Sequence, residues 1–138
     1  MQVNLFSLAD LCRKAITHFV PKGGGTIINI ASRAAFRGDE PNMMHYAASK
    51  GAVVALSRSI ARGYGKHGVL AHTVNPGWVS TDMAVSFFEN NPGALDGFPL
   101  GEAVPPAEVA NTVAFLASGM ARHLTGSTLE INGATHVR

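Results

Sequence analysis

Tyr46 and Lys50 stand four residues apart in the run Tyr46-Ala47-Ala48-Ser49-Lys50. On a helix, residues so spaced lie one above the other on a single face, which makes a phenol and an ammonium neighbours. Free tyrosine titrates near pH ~10, and a cation within about 4 to 6 Å favours the phenolate by roughly 1 to 3 units. A phenol tuned in this way can give or take a proton near neutrality. Alone, such a pair is as easily helix-surface decoration contributing about 0.2–0.5 kcal/mol. Its weight comes from its company: Thr26-Ile27-Ile28-Asn29-Ile30-Ala31-Ser32 upstream and Val74-Asn75-Pro76-Gly77-Trp78-Val79-Ser80-Thr81 downstream.

The elements that must position these groups follow from periodicity. Leu5, Leu8, Leu11, Cys12, Ala15 and Phe19 recur at the spacing of an amphipathic helix over residues 3–19, which Pro21 and Gly23-Gly24-Gly25 end. Residues 26–31 are β-branched and almost wholly apolar, as a strand buried on both faces of a parallel sheet should be. A loop carrying Arg33, Arg37, Gly38, Asp39, Glu40 and Pro41 leads to a long helix, N-capped by Asn42 and running to about residue 66. Its small residues Ala47, Ala48, Gly51, Ala52 and Ala55 let another layer approach closely. A second strand over 69–74 ends at Asn75-Pro76-Gly77, a helix over 106–118 opens on proline, and a last strand covers 127–131.

This alternation argues for one α/β domain over residues 1–138, a parallel sheet with flanking helices. Ligands of such sheets bind outside the carboxyl ends of the strands. Ser32 and Pro76-Gly77 fall at such ends, and Tyr46 lies early in the helix that starts from the same edge, so their polar chemistry converges on one rim. Residues 82–104 break the pattern. Their place directly after a strand end predicts a substrate lid of little regular structure, with Met83, Phe87, Phe88, Phe98 and Leu100 offering apolar contacts.

Other chemistries fit poorly. The chain is 46% hydrophobic and 14% charged with a formal charge of +2, and it has no basic run of the kind that binds nucleic acid. The single Cys12 cannot form an internal disulfide, which fits a reducing compartment. Asn4, Asp10, Arg13 and Lys14 interrupt the first twenty residues, so these form neither a signal sequence nor a membrane span, and the cytoplasm is the default expectation. Gly63-Tyr64-Gly65-Lys66-His67-Gly68 matches GxGxxG in letters. It closes a helix and precedes a strand, whereas a dinucleotide turn does the reverse, so it is expected to be a helix-ending turn. His18, His45, His67, His72, His123 and His136 show no metal-ligand spacing, and no nucleophile elbow surrounds Ser32.

Taken together, the three motifs resemble the C-terminal half of a short-chain dehydrogenase/reductase, over nearly the whole chain. The resemblance implies a Rossmann-like fold, here a partial, three-stranded version. It implies that Tyr46 is the acid/base, that Lys50 lowers its pKa and holds a nicotinamide ribose, and that Ser32 hydrogen-bonds the substrate oxygen. Asn4, in Val3-Asn4-Leu5, matches the asparagine completing the family's tetrad, and Pro76, Gly77, Val79 and Thr81 match the segment contacting the nicotinamide carboxamide. Leu124-Thr125-Gly126 to Ile131-Asn132-Gly133 resembles the family's last strand, with Ala134 where a second glycine is usual. The interval from Ser32 to Tyr46 is about one residue longer than the family pattern.

What the resemblance implies functionally is an NAD- or NADP-dependent oxidoreductase interconverting a carbonyl and a secondary alcohol, a 3-oxoacyl thioester reductase being one such case. It implies a small-molecule substrate and a homo-oligomer, with no nucleic acid or membrane partner. The TGxxxGxG turn and the strand-helix units that hold the rest of the cofactor in a complete family member are not in this sequence. Two expectations follow. The first strand should expose a hydrophobic edge, and a catalytically silent module acting through oligomerisation or a partner is the alternative to an enzyme.

Overall fold

The computed structural model describes residues 1–137, the side chain of Met83 excepted. Three parallel strands, β1 (Gly25–Ile30), β2 (Val69–Pro76) and β3 (Thr128–Ile131), lie side by side in that order. The register sets Gly25 beside Val69 and Ile30 beside Val74, then Thr73 beside Thr128 and Pro76 beside Ile131. Around them run α1 (Ser7–Phe19), α2 (Ala34–Arg37), α3 (Met44–Tyr64), α4 (Asp82–Asn90) and α5 (Pro106–Ala117). This is the partial Rossmann-like α/β sheet the sequence predicts.

The main core forms where α1 and α3 meet the sheet. Side chains alternate across a strand, so Ile27, Val69 and Ala71 point to one face, where they pack with Cys12, Ile60 and Ala61. Leu8, Ile16, Phe19 and Leu56 complete that layer. A second cluster, Ala31 with Val53 and Val54, secures the upper end of α3 beside the strand ends. Leu70, His72 and Val74 point the other way, and α5, which also packs against β1 and β2, covers them.

β2 is buried at every position, whereas β1 buries only Ile27 and Asn29 and leaves Ile30 41% exposed. The expectation of a first strand buried on both faces is thereby corrected. Among the described residues β1 pairs with β2 alone, so it is the hydrophobic edge that the sequence predicts. On its other face Thr26 and Ile28 are half-buried and Ile30 is exposed.

Three boundaries also differ. Asn42 lies inside a 3-10 turn (Pro41–Met43) and does not cap α3, whose N-cap position is Met43 with no side-chain capping bond. A short helix, α2, occupies part of the loop after Ser32. The segment expected to be irregular opens with the nine-residue α4.

The GxGxxG-like run is a helix-ending turn, as predicted. Gly68 ends a 3-10 turn (Gly65–His67) at φ +77°, donating its N–H to the Gly65 carbonyl at 3.0 Å. A Cβ at Gly68 would strike the carbonyl of Gly23, and one at Gly24 the carbonyl of Gly68, so the glycines at 24 and 68 serve a close backbone crossing below the sheet. Among the described residues no helix is long and apolar enough to cross a membrane.

Candidate active site

Ser32 follows β1 at the carboxyl edge of the sheet, where the chain turns into α2. Its Oγ accepts the N–H of Ala34 at 3.3 Å, which uses an acceptor lone pair and leaves the hydroxyl proton available to a ligand. Tyr46 stands in the first turn of α3. The two side chains share a cavity of about 450 Å³ with Arg33, Arg37, Gly77 and Trp78. The Arg33 N–H donates to the Pro76 carbonyl at 3.2 Å, tying the serine loop to the end of β2.

Lys50 sits one turn beyond Tyr46 and does not line the cavity. Its Nζ donates to the Ile30 carbonyl at 3.0 Å and lies 5.7 Å from the centroid of the Tyr46 ring. Partial burial pushes the ammonium's pKa below the ordinary lysine value, because desolvation disfavours the charged form. The cation is therefore anchored at the end of the strand that delivers Ser32, beside the phenol.

Asn4 reaches the site from behind. It lies in a π-helical turn (Gln2–Phe6) that leads into α1, and its Nδ2 donates to Ser49 Oγ at 3.2 Å. Ser49, wholly buried, donates in turn to the Tyr46 carbonyl at 2.7 Å. The structure thus connects Asn4 to the backbone of the tyrosine turn and not to the cavity wall.

The segment after β2 is held by backbone bonds on both sides. Gly77 N–H donates to Ile131 at 2.9 Å, Val104 N–H to Trp78 at 2.8 Å, and Ser80 N–H to Val104 at 3.0 Å. Thr81 N–H donates to the Val79 carbonyl at 2.8 Å, and the Thr81 carbonyl receives the Val85 N–H at 2.9 Å in the first turn of α4. Pro76 is buried, Val79 half-buried, and Thr81 exposed at the rim. The Val79 N–H has no acceptor among the described residues.

Sequence reasoning missed part of the wall. Trp78 stacks on Phe87, with centroids 4.9 Å apart and planes at 14°, and meets Phe88 edge-on at 5.6 Å. Phe88 in turn meets Phe98 edge-on at 6.1 Å, so residues assigned to a lid form an aromatic buttress for the tryptophan. Arg33 and the Arg37–Asp39 ion pair, 3.0 Å long, also line the cavity. The available signal was adjacency: Trp78 directly follows Gly77, and Arg33 directly follows Ser32. Met83, also assigned to the lid, has its side chain outside the described residues.

A family model described as "Enoyl-(Acyl carrier protein) reductase" matches residues 1–136. The chain belongs to the short-chain dehydrogenase/reductase family. Within the family it is similar to proteins named "3-oxoacyl-[acyl-carrier-protein] reductase FabG". The one from Haemophilus influenzae is 36% identical over 138 residues, covering 99% of this chain and 57% of the relative. The one from Vibrio cholerae is also 36% identical, with 56% of the relative covered. An "Uncharacterized oxidoreductase C4H3.08" from Schizosaccharomyces pombe is 36% identical over 135 residues, 46% of its length. The chain spans about half the length of these curated relatives.

Proposed function

We propose that the chain carries the catalytic residues of an NAD- or NADP-dependent oxidoreductase interconverting a carbonyl and a secondary alcohol. The observation that carries this reading is the shared cavity in which a free serine hydroxyl and a tyrosine phenol face one space, with a lysine beside the phenol. Relatives named as 3-oxoacyl reductases support it, and such thioesters are one substrate class within it.

The residues present fit the nicotinamide end of the cofactor. The unpaired Val79 N–H suits the carboxamide, with Pro76, Gly77 and Thr81 around it. Tyr46 and the N–H donors of Lys50 not spent on Ile30 suit the ribose hydroxyls. When bound, the cofactor supplies the hydride for the carbonyl carbon. Ser32 donates its hydroxyl proton as a hydrogen bond to the carbonyl oxygen, which draws electron density from the carbon and orients the substrate. Tyr46 gives that oxygen its proton in reduction and receives it in oxidation, while the Lys50 ammonium stabilises the phenolate left behind. Ser49 and Asn4 hold the turn of α3 that aims the phenol.

The test combines a fluorescence titration with NADH and NADPH and a turnover assay on a 3-oxoacyl thioester and simple ketones. Tyr46→Phe should abolish reduction while cofactor affinity stays close to wild type. Retained turnover in that variant would refute the assignment.

A second reading, a silent module that acts by self-association, rests on apolar exposure. Val3 is 79%, Phe6 56% and Leu11 61% exposed along the first turn and α1. Saturable cofactor binding would argue against it, and a monomer in sedimentation would remove its basis.

A further inference from the structure

We infer that the catalytic cavity takes a carbonyl compound bearing a carboxylate, with Arg33 as the counter-ion and Trp78 as the platform for the substrate's apolar part. This rests on the oxidoreductase reading above and narrows its substrate class.

The argument begins with the charges on the cavity wall. They are Arg33, Arg37 and Asp39. Asp39 is spoken for: its Oδ1 accepts from Arg37 Nη2 at 3.0 Å and from the Glu40 N–H at 3.1 Å. Arg33 makes no side-chain hydrogen bond or ion pair among the described residues; only its backbone is engaged. The wall therefore carries one uncompensated positive charge, on the residue next to Ser32.

That charge is partly withdrawn from water. Burial, reinforced by the nearby Arg37, pushes the Arg33 pKa below the ordinary arginine value, and Asp39 offsets only part of this. A guanidinium in such surroundings is poorly solvated and repelled by its neighbour, and an anionic ligand relieves both conditions. A carboxylate matches the planar fork of arginine with two parallel hydrogen bonds, which fixes orientation as well as charge. With the carboxylate on Arg33 and the carbonyl oxygen on Ser32, consecutive residues hold both polar ends of the substrate. The remainder meets Trp78, which Phe87 and Phe88 keep from rotating away. A neutral ester or thioester in the same place leaves the guanidinium unpaired.

Trp78 is the only tryptophan in the chain, so its fluorescence reports occupancy of the cavity without any cofactor. The full chain is titrated with phenylglyoxylate and, in parallel, with its methyl ester, which keeps the ring and the carbonyl but removes the charge. The acid should bind at least about tenfold more tightly than the ester, the scale of one charge-assisted hydrogen bond. Arg33→Gln should abolish that preference, and Arg33→Lys should keep part of it, since charge survives without the fork. Equal affinities for acid and ester would overturn the proposal. So would an undiminished preference in Arg33→Gln, or no saturable quenching by the acid.

NADPH oxidation separates this outcome from the parent reading. Reduction of the ester as fast as the acid would overturn the carboxylate specificity and leave the oxidoreductase standing. Preferential binding of the acid, with no reduction of any carbonyl, would overturn the oxidoreductase reading and leave the anion site.

Discussion

Replacing Gly77 by alanine adds one methyl group where the site meets the tail of the chain. The added Cβ would lie 2.9 Å from Asn132 Cβ, 3.0 Å from Asn132 Cα and 3.4 Å from Thr135 Oγ1. Carbon atoms prefer about 3.5–4.0 Å, so something must move. Asn132 is 6% exposed and cannot step aside freely. Its Nδ2 donates to the His136 carbonyl at 3.0 Å and to Glu130 Oε2 at 3.3 Å, and its own carbonyl accepts from Thr135 Oγ1 at 2.8 Å. Overpacking of this kind costs about 1–3 kcal/mol, and losing one buried hydrogen bond adds about 1 kcal/mol. Gly77→Ala should therefore destabilise by about 2–4 kcal/mol. Gly63, inside α3, is the control: a Cβ there meets nothing within 4 Å. Gly63→Ala should stabilise by about 0.5–1 kcal/mol, through helix propensity and a less flexible unfolded chain. Urea unfolding followed by Trp78 fluorescence and circular dichroism measures both. A Gly77→Ala variant within about 0.5 kcal/mol of wild type would show that the tail yields freely, and packing would not be the reason for this glycine.

Two further perturbations probe buried polar groups. His72 is 1% exposed and burial lowers its pKa from 6.5, so the folded protein holds it neutral where the unfolded chain takes up a proton. Stability should fall as pH drops below 6.5, by up to about 1.4 kcal/mol per pH unit until the folded state also protonates; His72→Asn should flatten the curve between pH 7.5 and 5.5, and parallel curves would refute the linkage. For the brace behind the tyrosine, Asn4→Ala and Ser49→Ala should each cost about 1 kcal/mol and together less than their sum; strict additivity in a double-mutant cycle would mean that their 3.2 Å contact carries no energy.

The fold was legible because its signals are short-range and repeated. The 3.6-residue spacing of Leu8, Leu11, Cys12 and Ala15 fixes α1, and the apolar run ending at Ala31 fixes β1. Burial was less legible, since a β-branched strand reads alike at an edge and at a centre; which one it is depends on neighbours far away in sequence. Asn42 failed as a cap because Pro41 draws it into a 3-10 turn, moving the cap position to Met43 and the start of α3 one residue on. The convergence of Ser32, Tyr46 and Gly77 on one cavity followed from the strand-end rule for parallel sheets. Arg33 and Trp78 were marked only by their adjacency to Ser32 and Gly77, because a loop arginine on solvent and one turned into a cavity otherwise read alike. The chemical contribution of Asn4 was inferred by likeness, and its physical connection, through Ser49 to the tyrosine backbone, needed coordinates.

The parallel register explains why Lys50 is where it is. In a parallel pair, alternate residues turn both backbone groups toward the same neighbour. Gly25 donates to Gly68 and Ala31 donates to Val74, so the odd-numbered residues of β1 address β2. Ile28 and Ile30 therefore point their N–H and carbonyl groups to the open edge. At the last of these carbonyls Lys50 takes the place of a neighbouring strand, with its Nζ 3.0 Å away. This bond satisfies a backbone acceptor and sets the height of the cation relative to the Tyr46 ring. Because an ammonium carries several donors, holding Ile30 leaves others of its N–H groups unspent. The strand that leads into Ser32 thus also positions the neighbour of Tyr46, and one backbone segment fixes both the Ser32 hydroxyl and the cation beside the Tyr46 phenol. A shift of β1 along β2 would carry Ser32 away from Tyr46 and Lys50, which both ride on α3, whereas a shift of α3 would move Tyr46 and Lys50 together away from Ser32. The bracing of α3 through Ser49 and Asn4 lies where that second displacement has to be resisted.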